Sequence, residues 1–386
     1  MLKIERDKLL VTAVLFVIIS IDMINTSMLA PVLPSIPNFV PFFAIMLLAV
    51  RFLYIRSYSL SFLIFAPTLI LVGSMVYYKA GNLNGLMFLL LIVFLYKADL
   101  ESILKIYTWT SLSFIVFIIL LSLVNVIPNL QFVQTRPVGV VVRNSFGFIY
   151  PTDFASHCFY LFTALSYLLR KKFIFLRTLS GIALAAFIIH YCDARLNAAS
   201  ILVATGIFFY FYYRNKTEWR LFVLLPFSAG IASSVMIYLS NKFSWSQPIY
   251  VALNNFFSMR LHLGHEALKK YGIELFGIRG ISFTGYGGKT ETVLNYDYVD
   301  SSYVQMLFTY GMIPVVILIC FYIFQSWKLY RRKEYLLLTI LSLVAFNCMF
   351  EAFWVRPSYN IFMFLLFATI PVMEFEGEKS EMREAV

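Results

Sequence analysis

ILKIYTWTSLSFIVFIILLSLVNVI, residues 103–127, decides the fold class of this chain. After Lys105 it carries no charged residue to its end. A helix rises 1.5 Å per residue, so a run this long outreaches the ~30 Å hydrocarbon core of a bilayer. An open strand would leave its peptide groups unsatisfied in lipid, and strands of this length are rare. The stretch therefore predicts a transmembrane α-helix.

Working outward, comparable apolar runs fall at 9–27, 38–55, 59–78, 83–96, 151–169, 173–190, 196–213, 219–239, 301–327, 335–353 and 358–374. With 103–127 they make twelve candidate spans. The second is approached through Pro31, Pro34, Pro37 and Pro41, and the fourth is short. Composition agrees: of 386 residues, 61% are hydrophobic, 18% aromatic and 13% charged. Ordinary soluble domains are about 25% charged. With a mean hydropathy of +0.80, the chain cannot cover itself with polar surface. A cytosolic enzyme, a disordered chain and a secreted domain are excluded. The expectation is an all-α polytopic membrane bundle of about 12 helices, one domain over 1–386, whose first apolar run is a retained span, not a cleaved signal.

The net charge is +11, from 31 basic and 20 acidic residues. In a membrane chain such an excess reports topology, since cytoplasmic loops gather Lys and Arg. Twelve spans with both ends inside place 20 of the 31 basic residues on the inner side, in short clusters at span ends. No basic domain of nucleic-acid type is present. Cys158, Cys192, Cys320 and Cys348 are scattered in or beside apolar runs and make no disulfide framework. Two longer connections then face outward, 128–150 and 240–300.

The outward arginines are Arg136, Arg143, Arg195, Arg260, Arg279 and Arg356. Positive-inside bias opposes such residues unless something uses them. Their donor forks suit phosphate oxygens, either of an anionic lipid-linked substrate or of ordinary headgroups. HYCDARLNAAS, 190–200, puts Asp193 and Arg195 at membrane depth, as a functional pair or as a tie between two helices. FFSMRLHLGHEALKKYG, 256–272, reads as an amphipathic interfacial helix. Its His262 and His265 are a weak metal signal beside a solvated-face reading. The Gly-rich stretch 272–290 lacks P-loop spacing. NYDYVDSSY, 295–303, sets Asp297 and Asp300 among Tyr296, Tyr298 and Tyr303. Carboxylates beside aromatic rings suit sugars, while Asp300 with Ser301 or Ser302 also makes a helix cap signal. Glu351 is either an ion pair to Arg356 or a catalytic carboxylate.

RNSFGFIYP (143–151), YCDAR (191–195), MRLHLGHEALKKYGIELFG (259–277), DSSYVQMLFTYGMIP (300–314), Glu351 and Asn360 form an ordered set. In that order the chain resembles the Wzy-type polysaccharide repeat-unit polymerases of the O-antigen polymerase and ligase superfamily. The first 125 residues resemble it only as apolar spans. Many members carry S-x-G-F-x-H-P-N at the first motif. Here Tyr150 stands in the place of the His and Thr152 in that of the Asn. The resemblance implies a GT-C-like membrane glycosyltransferase on the outer face of the bacterial cytoplasmic membrane. It would move a growing O-antigen, capsule or related glycan from polyprenyl (undecaprenyl) diphosphate to the non-reducing end of a new lipid-linked repeat unit. It would need neither metal nor nucleotide cofactor. Its partners would be the lipid-linked oligosaccharide, the bilayer, and chain-length-regulator and flippase proteins, with no nucleic acid. On this reading Asp300 is the first choice of general base and Glu351 the second. Arg143, Arg195 and Arg260, then Arg279 and Arg356, handle diphosphate. Tyr296, Tyr298 and Tyr303 stack on sugar. The alternatives are a lipid-linked oligosaccharide flippase and a ligase-like glycosyltransferase.

Overall fold

A computed structural model of the chain describes residues 2–53, 55, 57–136, 139–214, 220–290 and 296–368. The end of the last apolar run and the acidic tail lie outside these residues. The described chain is helical apart from one hairpin. Its helices are α1 (Leu2–Asn25), α2 (Phe39–Leu47), α3 (Leu60–Ala80), α4 (Leu83–Phe94) and α5 (Leu100–Leu123). The strands β1 (Gln131–Arg136) and β2 (Gly139–Asn144) follow. Then come α6 (Pro151–Leu168), α7 (Ile174–Cys192), α8 (Arg195–Tyr213), α9 (Ser228–Lys242), α10 (Pro248–Phe256) and α11 (Arg260–Tyr271). Last are α12 (Ser302–Thr309), α13 (Met312–Arg331) and α14 (Tyr335–Asn347).

Local chemistry sets many of these boundaries. Ser59, Asn82 and Asp99 cap α3, α4 and α5 by accepting from the amides of Phe62, Gly85 and Ser102. Gly81 ends α3 in the left-handed region, and Pro151 and Pro248 open α6 and α10. Six helical segments are long and apolar enough to cross a membrane: Leu60–Ala80, Leu100–Leu123, Ile174–Cys192, Arg195–Tyr213, Phe222–Lys242 and Met312–Arg331. Phe39–Leu53, Leu83–Phe94 and Tyr335–Asn347 are apolar but shorter. The protein is thus a helical, membrane-embedded bundle. α4 is buried from Met87 to Phe94, which its all-round apolar sequence requires. α3 and α7 instead turn Leu60, Leu63, Phe175 and Leu176 outward, as lipid-facing helices do.

The run 301–327 is not one helix. It breaks between α12 and α13 at Gly311, whose φ is +93°. There the segment 274–278 crosses the break, with Met312 and Ile313 donating to the carbonyls of Glu274 and Leu275, and Ile278 to that of Phe308. The amphipathic segment is likewise split. Ser258 and Met259 are left-handed, and the helix begins at Arg260. Its buried face, Arg260, Leu261, Gly264 and Ala267, packs on α9 and α12.

The loops sort to two ends. At one, Arg51 pairs with Asp7 and donates to the Phe94 carbonyl, and Lys328 reaches Ser61. At the other lie the hairpin, residues 243–290 and 296–301 of the long connection, and the segment 348–360.

Candidate active site

A cavity of about 290 Å³ opens at this second end. Thr26 from the end of α1, Tyr150 and Asp153 from the start of α6, Tyr286, Tyr296, Tyr298 and Asp300 from the long connection, and Glu351, Phe353 and Arg356 after α14 line it. Backbone bonds bring these distant pieces together. Met28 donates to the Gly147 carbonyl and Ile149 to that of Thr26, which ties the turn before α6 to α1. Ser302 donates its amide to Cys348 and its hydroxyl to the Glu351 carbonyl, which locks 300–302 against 348–354.

The charged centre is built around Arg260. The left-handed Ser258 and Met259 turn the start of α11 inward, where Arg260 is buried. Its Nε donates to the Phe350 carbonyl at 2.6 Å. Its Nη2 stands 3.8 Å from Asp300 Oδ2 and 3.6 Å from Glu351 Oε1. These are ion-pair distances, longer than hydrogen bonds. Glu351 is buried and accepts from Asn197 Nδ2 at 2.9 Å, and Asn197 accepts in turn from Ser156. Its ion pair is thus with Arg260, not with Arg356.

Ser301, not Asp300, is the N-cap of α12, so the Asp300 carboxylate is left to the cavity. Burial pushes its carboxyl above the ordinary range, and Arg260 and Arg143 offset only part of that. Arg143, buried on β2 opposite Phe132, donates from Nε to the Cys192 carbonyl at 2.8 Å and from Nη1 to the Tyr150 hydroxyl at 3.1 Å. Tyr150 stacks on Tyr286 at 5.3 Å between centroids, and Tyr286 meets Tyr296 at 5.4 Å. The cavity thus combines three carboxylates (Asp153, Asp300 and Glu351), one lining arginine, two arginines just behind, and a wall of rings.

The structure brings together most of the residues expected from sequence: Asp300, Glu351, Arg143, Arg260, Arg356, Tyr296 and Tyr298. Three lie elsewhere. Arg195 is 56% exposed and donates to Asp193 at 2.9 Å. Arg279 is exposed and donates to the Tyr78 carbonyl at the end of α3. Tyr303 is fully buried, its hydroxyl donating to the Ala345 carbonyl at 2.7 Å, so its ring packs the bundle and does not line the cavity. Asp297 forms a clasp with Lys270, Tyr271 Oη and the Thr284 amide. Burial raises its carboxyl, but those hydrogen bonds outweigh it and leave it below the ordinary range. His265 Nδ1 meets the Ser240 carbonyl at 2.9 Å, and no group of three metal-ligating side chains occurs among the described residues.

Tyr286 and Asn197 were not singled out from sequence. Tyr286 sits in a glycine-rich loop that carries no periodicity. Asn197 is a polar residue inside an apolar helix, and that is the signal by which it is found.

The chain matches no protein-family model, no curated protein and no solved structure.

Proposed function

We propose that this protein is a polysaccharide polymerase, a glycosyltransferase working on lipid-linked repeat units at the outer face of a bacterial cytoplasmic membrane. The proposal includes a twelve-pass, GT-C-like arrangement with both ends inside. The observation that carries it is the partly exposed Asp300 carboxylate on the wall of an aromatic cavity, with Arg260 behind it at 3.8 Å.

In this reading an acceptor sugar hydroxyl rests beside Asp300, which takes its proton. The hydroxyl oxygen attacks the donor's anomeric carbon. The bond from that carbon to the diphosphate oxygen breaks, and polyprenyl diphosphate leaves with the electron pair. Arg260 and Arg143 supply fixed positive charge against the charge that develops. Tyr150, Tyr286, Tyr296 and Tyr298 offer ring faces to the sugars. Glu351, tied to Asn197 and Arg260, holds the guanidinium in place. Arg195 and Arg279, outside the cavity, are proposed as outer contacts for the diphosphate.

The test is gene deletion followed by gel analysis of surface glycan, with complementation by wild type, Asp300→Asn and Arg260→Ala. Loss of long chains with one-unit glycan retained, rescued by wild type alone, is expected. Unchanged chain length on deletion overturns the reading. Lipid-linked units accumulating on the inner leaflet identify a flippase instead.

A further inference from the structure

Helix α10, between α9 and α11, carries apolar side chains on its outward side as well as on its core side, where Tyr250 and Leu253 pack. Ile249, Ala252 and Phe256 follow helical spacing along one face of α10 and are exposed, Ile249 at 67% and Phe256 at 66%. Trp245, just before the helix, is 56% exposed. The polar Asn254 is on the opposite side and fully buried. There its Oδ1 accepts from the His262 amide in the first turn of α11, and its carbonyl accepts from Met259. Water disfavours such an apolar row on an outer face, where Asn255 is the one exposed polar residue of the helix.

We propose that α10 is an in-plane anchor seated in the outer-leaflet interface, its apolar face turned into lipid. Three observations select lipid as the occupant. With nine residues the helix spans about 13.5 Å at 1.5 Å per residue, too short to cross. It follows the membrane-crossing segment Phe222–Lys242 after a five-residue connection, so it begins where that span leaves the bilayer. The span it follows is exposed in the same way, with Ile231, Val235 and Tyr238 of α9 turned outward as lipid-facing side chains are. An aromatic residue beside such a face is characteristic of an interfacial helix.

The seat matters because α10 is built into the turn that places Arg260. Arg260 Nη1 donates to the carbonyls of Phe257 and Ser258 in that turn. The depth of α10 in the leaflet therefore sets the depth of Arg260, which has to match the headgroup level if it is to meet a lipid-borne diphosphate. That consequence rests on the proposed transferase reading; the seat of α10 does not.

The test uses full-length protein with Cys320→Ser, purified into vesicles of phosphatidylcholine and phosphatidylglycerol. Ile249→Cys, Phe256→Cys and, as an aqueous control on exposed α11, Lys269→Cys are labelled with an environment-sensitive fluorophore. Probes at 249 and 256 should emit blue-shifted, be quenched by nitroxide lipid and resist iodide. The probe at 269 should behave oppositely. Adding Phe256→Asp should open position 249 to iodide. Equal iodide quenching at all three sites overturns the proposal. So does shielding from both quenchers with cross-linking through position 249, which would make a second copy of the chain the occupant. None of these readouts requires polymer formation, so they stand or fall separately from the transferase reading.

Discussion

Arg260 serves two carboxylates at once, and both depend on it. Removing a partner from a buried ion pair strands a charge and costs about 3–5 kcal/mol. Arg260→Met should therefore lower thermal stability in detergent strongly, and adding Glu351→Gln should restore part of the loss. Additive losses in the double variant would show that the two residues are not coupled. Asp300 gives a pH prediction. If Asp300 is the base of the proposed transfer it must be ionised, and this carboxyl is held above its ordinary range, so polymer formation should then fall as pH drops through that raised value. Arg260 pulls the carboxyl down, so Arg260→Lys, with a looser cation, should move the acid limb to higher pH. An acid limb unchanged in that variant would remove Asp300 as the titrating base. At this scale the sequence displayed the right residue types but not their phase. Asp300 and Tyr303 stand three positions apart in one motif. Asp300 precedes the cap and faces the cavity, whereas Tyr303 sits inside the short α12 and points at Ala345. Which way each points depends on where α12 starts, and that is fixed by Ser302 bonding to segment 348–351, far away in sequence.

The elements were legible where apolarity alone decides them. Residues 103–127 read as a helix, and α5 runs Leu100–Leu123. They were illegible where two backbones cross. The run 301–327 reads as continuous because an apolar stretch reports burial, not path. Gly311 is where it breaks, since a Cβ there would lie 2.3 Å from the Gly277 nitrogen and 2.5 Å from the Leu275 oxygen. Gly311→Ala would meet that backbone and also force an L-residue into an extended positive-φ conformation that only glycine adopts readily, which alone costs about 1–3 kcal/mol. It should sharply lower the temperature at which the protein survives heating in detergent, as read by size-exclusion retention. Gly206 in α8 is the contrast, with nothing within 4 Å of its added Cβ. Gly206→Ala should hold or gain about 0.5–1 kcal/mol, the usual preference of a helix for alanine. Equal behaviour of the two variants would mean that the crossing at Gly311 is not tight.

At the scale of the whole molecule, charge sorted the two ends before any contact was known. Positive-inside counting put Arg51 and Lys97 on one side, and Arg143, Arg260 and Arg356 on the other. In the structure Arg51 reaches Asp7 and the Phe94 carbonyl at one end, whereas Arg143, Arg260 and Arg356 converge around the cavity at the opposite one. Counting assigns a side to each residue but not a neighbour, so the convergence itself needed the fold. The orientation is directly testable. Lys289 is exposed in the glycine-rich connection at the cavity end, and Lys171 is exposed between α6 and α7 at the other. With Cys320→Ser, Lys289→Cys should react with a membrane-impermeant maleimide in right-side-out vesicles, and Lys171→Cys only after permeabilisation. The bias of basic residues that decides this acts during insertion and within short loops, so it should hold whatever chemistry the cavity performs. The reverse labelling would place the cavity on the cytoplasmic face. Outer-face transfer would then be impossible, because Asp300 and Arg260 would meet no outward-facing lipid-linked substrate.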